Sequence, residues 1–282
     1  MADIIRHTEW AIDINSSIKS NIVEGSVQLN PSLQKAVLHA AGDLQPTTGV
    51  TLTNTPSMMF RTHDLDMIST PTVISSVVMT ARAYADNGGL GTGYVSYTMS
   101  DGIIIPVSIS GSAGAPAELT VAVFPVSSDG DTAPITVGTT SKTLATHGDA
   151  YTIGDIGIGG AIAGISSIDL QFGYAVQSNA GENGKPYPTL AYYDRQTAAV
   201  TAATNQLSAA TAERMLTGQS TTAITAVFRK LAEGAVPSGT YTATMAKAIV
   251  EASNIQGGRP FTLQLMITPI YDGVGDDYLT FS

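Results

Sequence analysis

The chain has 282 residues, with no cysteine, a single tryptophan and only 13% charged residues. The absence of cysteine excludes a disulfide framework, thiolate-bound zinc and a thiol nucleophile. Acidic residues outnumber basic ones by 23 to 13, and the formal net charge of −10 disfavours binding to nucleic acid.

The N-terminal part of the sequence, residues 1–30, predicts an arm or the first strands, and it contains the only tryptophan, Trp10. The next segment, residues 31–43, predicts a short helix. Pro31 suits the first turn of a helix, and Gly42 suits its end.

The strongest β signal lies between residues 72 and 127, where Thr-, Val- and Ile-rich runs are separated by turn residues. A long strand runs from Val73 to Tyr84. Two Asp-Gly pairs, beginning at Asp101 and Asp129, mark later turns. Strands separated by turns at this spacing are typical of sandwiches and barrels.

Residues 131–150 are polar and rich in Thr, and they predict a surface loop or hairpin. The following segment contains the clearest half-buried strand, because apolar side chains recur at every second position. These residues are Ile168, Leu170, Phe172, Tyr174 and Val176.

The region 197–220 is rich in Ala and Thr, and it predicts a helical or mobile insertion. Its roughly helical spacing comes from Leu207, Ala210, Arg214 and Met215. Strands are predicted over 222–231 and 262–270. Residues 241–253 fit either a helix or a strand.

The sequence therefore predicts a mainly β protein, an antiparallel β-sandwich or barrel in two β-rich halves, with one to three short helices. The predicted organisation is an N-terminal arm (1–30), a β-rich domain (31–130), a seam (131–150) and a second β-rich domain (151–282). The insertion near 197–220 belongs to the second domain.

Three local patterns invite a chemical interpretation, and each has a simpler structural one. The run from His63 to Asp66 suits a metal site or a polar loop, and the glycine-rich run 154–164 suits a phosphate loop or a β-turn. Ser16 and Lys19 have the spacing of some acyl-transfer enzymes, but no partner motif follows. The structural interpretation is favoured each time, so the sequence predicts no catalytic residue, no metal and no cofactor.

Several carboxylates could pair for hydrolase chemistry or bind calcium, but most occur in turns, where Asp accepts backbone hydrogen bonds. They are Asp129, Asp149, Asp194, Asp272, Asp276 and Asp277.

A tyrosine cluster, formed by Tyr187, Tyr192 and Tyr193, could stack on a carbohydrate or lie in a core or subunit interface. A core or interface position is favoured over carbohydrate binding, and these three residues are candidates for contacts between subunits. Trp10 and the stretch 197–220 are further candidates for contacts between subunits.

Three stretches resemble tailed-bacteriophage virion proteins: residues 97–109, 165–173 and 184–188. The chain as a whole is also similar to such proteins in being cysteine-free, acidic and rich in Ala, Thr, Gly and Ser. The resemblance implies a β-rich subunit that is repeated many times in a tail tube or on a capsid surface. It implies no catalytic residue.

We therefore expect a non-enzymatic structural subunit of a virion, above all a homo-oligomeric tail tube protein. A capsid decoration protein and a carbohydrate-binding β-sandwich are the alternatives. The expected partners are copies of the chain and other virion proteins, without sequence-specific nucleic-acid binding and without a membrane. The protein would be assembled into virions in the host cytoplasm. In a tube, acidic side chains such as Asp129, Asp149 and Asp276 would line the bore.

Overall fold

The computed structural model describes residues 7–19, 22–38, 48–84, 90–141, 149–206, 219–220, 223–231, 239–256, 262–271 and 279–282. The prediction of a mainly antiparallel β protein is confirmed, because every strand pair in these ranges is antiparallel. A three-residue 3-10 helix, Glu182–Gly184, is the helical element of the described residues.

The strands in chain order are β1 (His7–Ile14), β2 (Ser17–Lys19), β3 (Gln28–Asn30), β4 (Leu33–Leu38), β5 (Thr48–Asn54), β6 (Ser57–Thr62), β7 (Thr72–Ile74), β8 (Val77–Tyr84), β9 (Leu90–Met99), β10 (Gly102–Ser112), β11 (Glu118–Pro125), β12 (Ile135–Gly138), β13 (Ala150–Ile158), β14 (Ala161–Ile162), β15 (Ile165–Gln171), β16 (Tyr174–Ser178), β17 (Ala191–Gln196), β18 (Ala199–Thr204), β19 (Gln219–Ser220), β20 (Ile224–Leu231), β21 (Thr240–Met245), β22 (Ala248–Gln256), β23 (Thr262–Pro269) and β24 (Thr280–Phe281).

Three large sheets and two ribbons organise these strands. The central sheet has ten strands, in the order β19-β22-β23-β18-β15-β10-β11-β6-β3, with β7 paired to β10. The β8 sheet has the order β12-β9-β8-β1-β2, and the β20 sheet has the order β14-β13-β20-β21-β24. Two separate ribbons are formed by β16 with β17 and by β4 with β5. Within the described residues, none of the sheets closes on itself.

The core lies where the three large sheets meet. Alternation along β23 buries Leu263, Leu265 and Ile267 on one face and leaves Gln264 and Met266 on the other, as the two-residue period of a strand requires. Residues of the β8 and β20 sheets belong to the same buried cluster as this inner face of the central sheet. The fold is therefore a sandwich-like packing of sheets.

The predicted helix over 31–43 is wrong where the structure describes it. Residues 33–38 form strand β4, which pairs with β5 from Leu33↔Asn54 to Leu38↔Thr48. Residues 39–43 lie outside the described ranges. The cause is tertiary pairing: the Thr- and Val-containing β5 offers a full ladder, whereas the segment has no apolar stripe that packs against the body.

The segment predicted as an N-terminal arm contributes a strand to the interior of a sheet. β1 lies between β8 and β2, and Ala11, Ile12 and Ile14 are buried. Residues 7–14 are therefore part of the fold and not a projecting arm. Asp13 is buried as well, so all four residues from 11 to 14 are buried, and both faces of this part of β1 are covered.

The predicted insertion near 197–220 is wrong over residues 199–204, which form β18 inside the central sheet with Val200 and Ala202 buried. Gln219 and Ser220 form β19, and residues 207–218 lie outside the described ranges. The ambiguous segment 241–253 is extended, in β21 and β22.

The seam predicted over 131–150 contains strand β12, which pairs with β9 in the β8 sheet. Residues 142–148 lie outside the described ranges. One buried cluster includes residues from both sides of this segment, among them Phe60 and Phe228.

Candidate assembly surface

The β4–β5 ribbon, called here the exposed hairpin, carries apolar side chains that the described part of the chain leaves exposed. Relative exposure ranges from 37% at Val50 to 57% at Val37. The exposed apolar residues are Leu33, Val37, Leu38, Val50 and Leu52. The prediction of a helix over residues 31–43 missed this surface.

The strand register explains why the exposed hairpin cannot cover its own apolar groups. Ala36 pairs with Val50 and Val37 with Gly49, so consecutive apolar residues fall on opposite faces of the ribbon. No residue of β4 or β5 belongs to the buried set. Because an isolated two-stranded ribbon is only marginally stable in water, this one is suited to being covered by another surface.

Two backbone hydrogen bonds fix the base of the exposed hairpin. The Asn54 N–H donates to the Pro186 carbonyl of the body at 2.7 Å, and the Thr55 N–H closes the base itself by donating to the Ser32 carbonyl at 3.0 Å. These bonds fix where the ribbon leaves the body and leave its outer part uncovered.

The second ribbon continues a hairpin of the central sheet. β15 pairs with β18 inside that sheet, and their continuations β16 and β17 pair with each other outside it. The chain bends at Gly173, where the φ angle is +68° and the Thr197 N–H donates to the Gly173 carbonyl at 2.9 Å. The predicted strand 168–176 is therefore two strands, with Ile168 buried before the bend and Val176 half-buried after it.

The bent ribbon partly covers a small apolar cluster on the outer face of the central sheet, which contains Ile103, Ile105 and Ala122. Beside the ribbon lies an open groove of about 350 Å³. Its lining includes Met59, Val107, Phe124, Gln171, Tyr174 and Val176. At the rim, the side-chain amide of Gln171 donates to the Asp169 carboxylate at 2.8 Å.

The predicted tyrosine cluster lies on and near this ribbon. Tyr192 and Tyr193 are each 47% exposed, and as neighbours in β17 they point to opposite faces. The ring of Tyr193 packs edge-on to Tyr174 with centroids 5.3 Å apart. Tyr187 is half-buried, and its backbone N–H donates to the Gly130 carbonyl at 3.1 Å. The three side chains do not form one flat stacking platform.

Trp10 lies in β1, within the β8 sheet. It is half-buried against the main core, and its ring stacks on Tyr97 with centroids 6.4 Å apart. A partly exposed indole in this position is available for only a limited contact with another subunit.

The loop containing His63 is a turn in which side chains bond to the backbone. His63 Nδ1 lies 3.0 Å from the Ala117 carbonyl oxygen, and the Asp64 N–H donates to Thr62 Oγ1 at 3.1 Å. Among the described residues, no group of three or more His, Asp or Glu side chains could hold a metal ion.

Two buried tyrosines face this loop. Their rings, Tyr151 and Tyr241, are 5.9 Å apart. Burial, together with the negative charges of Asp66, Asp149 and Asp64, raises the pKa of Tyr151 to about 12. Burial also raises the pKa of Tyr241. Both hydroxyls therefore remain protonated at neutral pH, which suits packing and not proton transfer.

The glycine-rich run 154–164 is a hairpin. β13 continues to Ile158, the chain turns with Gly159 at a φ of +65°, and the Ile158 N–H donates to the Gly160 carbonyl at 3.0 Å. β14 then returns along β13. The interpretation as a β-turn is confirmed, and no helix follows the glycines as a dinucleotide-binding loop requires.

The turn carboxylates are engaged locally. Asp129 accepts hydrogen bonds from the backbone N–H groups of Thr132 at 2.8 Å and Asp131 at 2.9 Å, and these bonds hold the pKa of its carboxyl well below the usual range. Asp149 forms an ion pair with Lys230. Residues 272, 276 and 277 lie outside the described ranges.

No protein-family model and no curated protein matches the chain. Within the described ranges, no helix has the length and apolar character needed to cross a membrane. The fold and the exposed apolar surface are therefore the observations from which function must be argued.

Proposed function

We propose that the chain is a non-enzymatic structural subunit of a bacteriophage virion, and specifically a homo-oligomeric tail tube protein. The observation that carries this proposal is the exposed hairpin, whose apolar side chains lie on both faces of a ribbon that the body does not cover. Several exposed apolar side chains grouped on one element are typical of sites that contact other proteins.

The composition supports repeated close contacts between copies. Only 13% of the residues are charged, so most of the surface can be buried without removing charges from water. This matters because the cost of desolvating a charge can exceed what its new partner returns. Interface cores are depleted of charged residues for the same reason.

The acidic balance supports a conduit for DNA. The chain has 23 acidic and 13 basic residues, a formal net charge of −10. A bore lined by such an acidic chain would repel phosphates, so DNA could move through it without sticking.

Electron microscopy and analytical ultracentrifugation of the purified full-length chain test the proposal. We expect rings or tubes whose amount rises with concentration. Val37→Lys, which places a charge on the exposed hairpin, would reduce assembly at least tenfold. Val137→Lys is the matched control, because Val137 is 69% exposed on β12 and outside the hairpin.

A chain that stays monomeric at high concentration and binds no virion particle would overturn the proposal. Monomers that bind only to assembled capsids would instead support capsid decoration. The exposed Tyr192 and Tyr193 favour one further alternative, a carbohydrate-binding module. A glycan array with Tyr192→Ala and Tyr193→Ala controls would identify it by binding that the substitutions abolish.

A further inference from the structure

We propose that the exposed hairpin of one copy docks into the groove beside the β16–β17 ribbon of a second copy, with Lys35 of the first copy pairing with Asp169 of the second. This inference rests on the proposed function, since it requires that the chain self-associates. It names the two surfaces that meet.

The hairpin side of the contact is apolar with one positive charge. Lys35 is exposed and is the charged residue of β4 and β5. Among the described residues it has no ion-pair partner. Val37 lies two positions further along the same strand and is 57% exposed, so a cation and an aliphatic group lie close together on one face of the ribbon.

The groove side has the complementary character. Met59, Val107 and Phe124 are among the apolar residues that line it, and no lysine or arginine is in its lining. Gln171 belongs to the lining, and its side-chain amide donates a hydrogen bond to the carboxylate of Asp169, which is exposed just outside the lining. One acidic group at the edge of an apolar groove matches one basic group beside apolar side chains, which is the complementarity that selects a partner.

The occupant is a second copy because the same chain supplies both surfaces. The hairpin base is fixed to the body through Asn54 and Pro186, and the exposed side chains of the ribbon make no core contact within their own chain. In a head-to-tail pair, the first copy keeps its groove free and the second copy keeps its hairpin free, so further copies can be added at both ends. Such a heterologous contact produces rings or helical filaments.

Cysteine pairs provide a direct test, since the chain has no cysteine of its own. Val37→Cys and Gln171→Cys are made in separate chains, mixed and oxidised. We expect a disulfide-linked dimer in the mixture, at least tenfold more abundant than with either variant alone. Val37→Cys mixed with Val137→Cys is the control and should give only background dimer.

Charge exchange tests the ion pair. Lys35→Glu and Asp169→Lys should each weaken assembly at least tenfold, and the chain carrying both changes should recover most of it. Asp194→Lys, at an exposed position on β17 outside the groove lining, should have little effect.

The two proposals fail in different ways. Oligomers that form normally with Lys35→Glu and give no disulfide between positions 37 and 171 would overturn the docking proposal and leave the structural function standing. A wild-type chain that never self-associates would overturn both.

Discussion

Two consecutive residues hold the turn between β1 and β2 in the left-handed backbone region. Asn15 has a φ of 49° and Ser16 a φ of 70°, as the two central residues of a type I′ turn require. Asn15 is suited to this region, and its Oδ1 also accepts the N–H groups of Ser75 and Ser76 at 3.0 and 3.1 Å. Ser16 has no such compensation and bears the steric cost of its Cβ.

We therefore predict that Ser16→Gly stabilises the protein by roughly 0.5–1 kcal/mol. Glycine removes the steric cost of the Cβ, and the larger conformational entropy that glycine loses on folding offsets only part of this gain. Ser17→Gly is the matched control. It lies in β2, where glycine should destabilise by a similar amount. Urea unfolding measures both changes, and a Ser16→Gly chain less stable than the wild type would contradict the prediction.

Asp129 links stability to pH. The backbone N–H groups of Thr132 and Asp131 lower the pKa of its carboxyl in the folded chain. The Asp129 carboxylate therefore contributes its full stabilisation above the pKa of an aspartate in the unfolded chain, about 4. This stabilisation is lost as the pH falls from that value toward the lower pKa of the folded chain. Asp129→Asn should lower the urea midpoint at pH 7, and the difference from the wild type should shrink below about pH 4. Asp194→Asn, at an exposed position in β17, is the control for the loss of one negative charge.

Among the strand connections, the bend at Gly173 decides where the central sheet ends and the second ribbon begins. A Cβ at this position would lie 1.9 Å from the Thr197 carbonyl oxygen, and φ is +68°. We predict that Gly173→Ala destabilises by more than about 3 kcal/mol, since the backbone strain alone costs 1–3 kcal/mol and the clash adds to it.

Gly114→Ala separates the two causes. Gly114 has a φ of +81°, but a Cβ there would meet nothing within 4 Å. Gly114→Ala should therefore destabilise only through the cost of the left-handed backbone conformation, about 1–2 kcal/mol. Equal losses for the two alanine variants in urea unfolding would show that the Thr197 contact does not matter.

The sequence predicted most elements correctly where alternation is strict and the strand is half-buried, as in residues 165–172. It failed at Gly173, because period-2 alternation continues through Tyr174 and Val176 although the chain changes sheet there. It failed at 31–38 because Pro31 resembles a helix start, and only the distant partner β5 makes this segment a strand.

The candidate site was harder to predict than the fold. Tyr192 and Tyr193 were predicted for an interface or core, with carbohydrate stacking as the alternative. The structure exposes both, and aromatic content could not reveal that they lie on opposite faces of a ribbon. The exposed hairpin was missed altogether, since Leu33 and Val37 look like core residues in a sequence. Their exposure follows from a two-stranded ribbon leaving the body, which local pattern does not encode.

At the scale of the whole molecule, the two predicted halves share one core. Phe60 of β6 and Phe228 of β20 are both fully buried and belong to the same cluster. Trp10, the single tryptophan, packs against that cluster from the β8 sheet. Its fluorescence therefore reports on the N-terminal half, while circular dichroism reports on all strands.

We predict that Phe228→Ala, a change in the C-terminal half, lowers the urea midpoint seen by Trp10 fluorescence as much as the midpoint seen by circular dichroism. The loss should be about 3–5 kcal/mol, the usual cost of removing a buried phenylalanine ring. The physical reason is that a cavity at Phe228 weakens a core to which both halves contribute, so the halves unfold together. Phe60→Ala is the control variant, because Phe60 lies in the same half as Trp10. It should lower the midpoint of the tryptophan transition whether the two halves unfold together or independently. A Phe228→Ala chain whose tryptophan transition stays at the wild-type midpoint, while the dichroism transition splits in two, would show that the halves unfold independently.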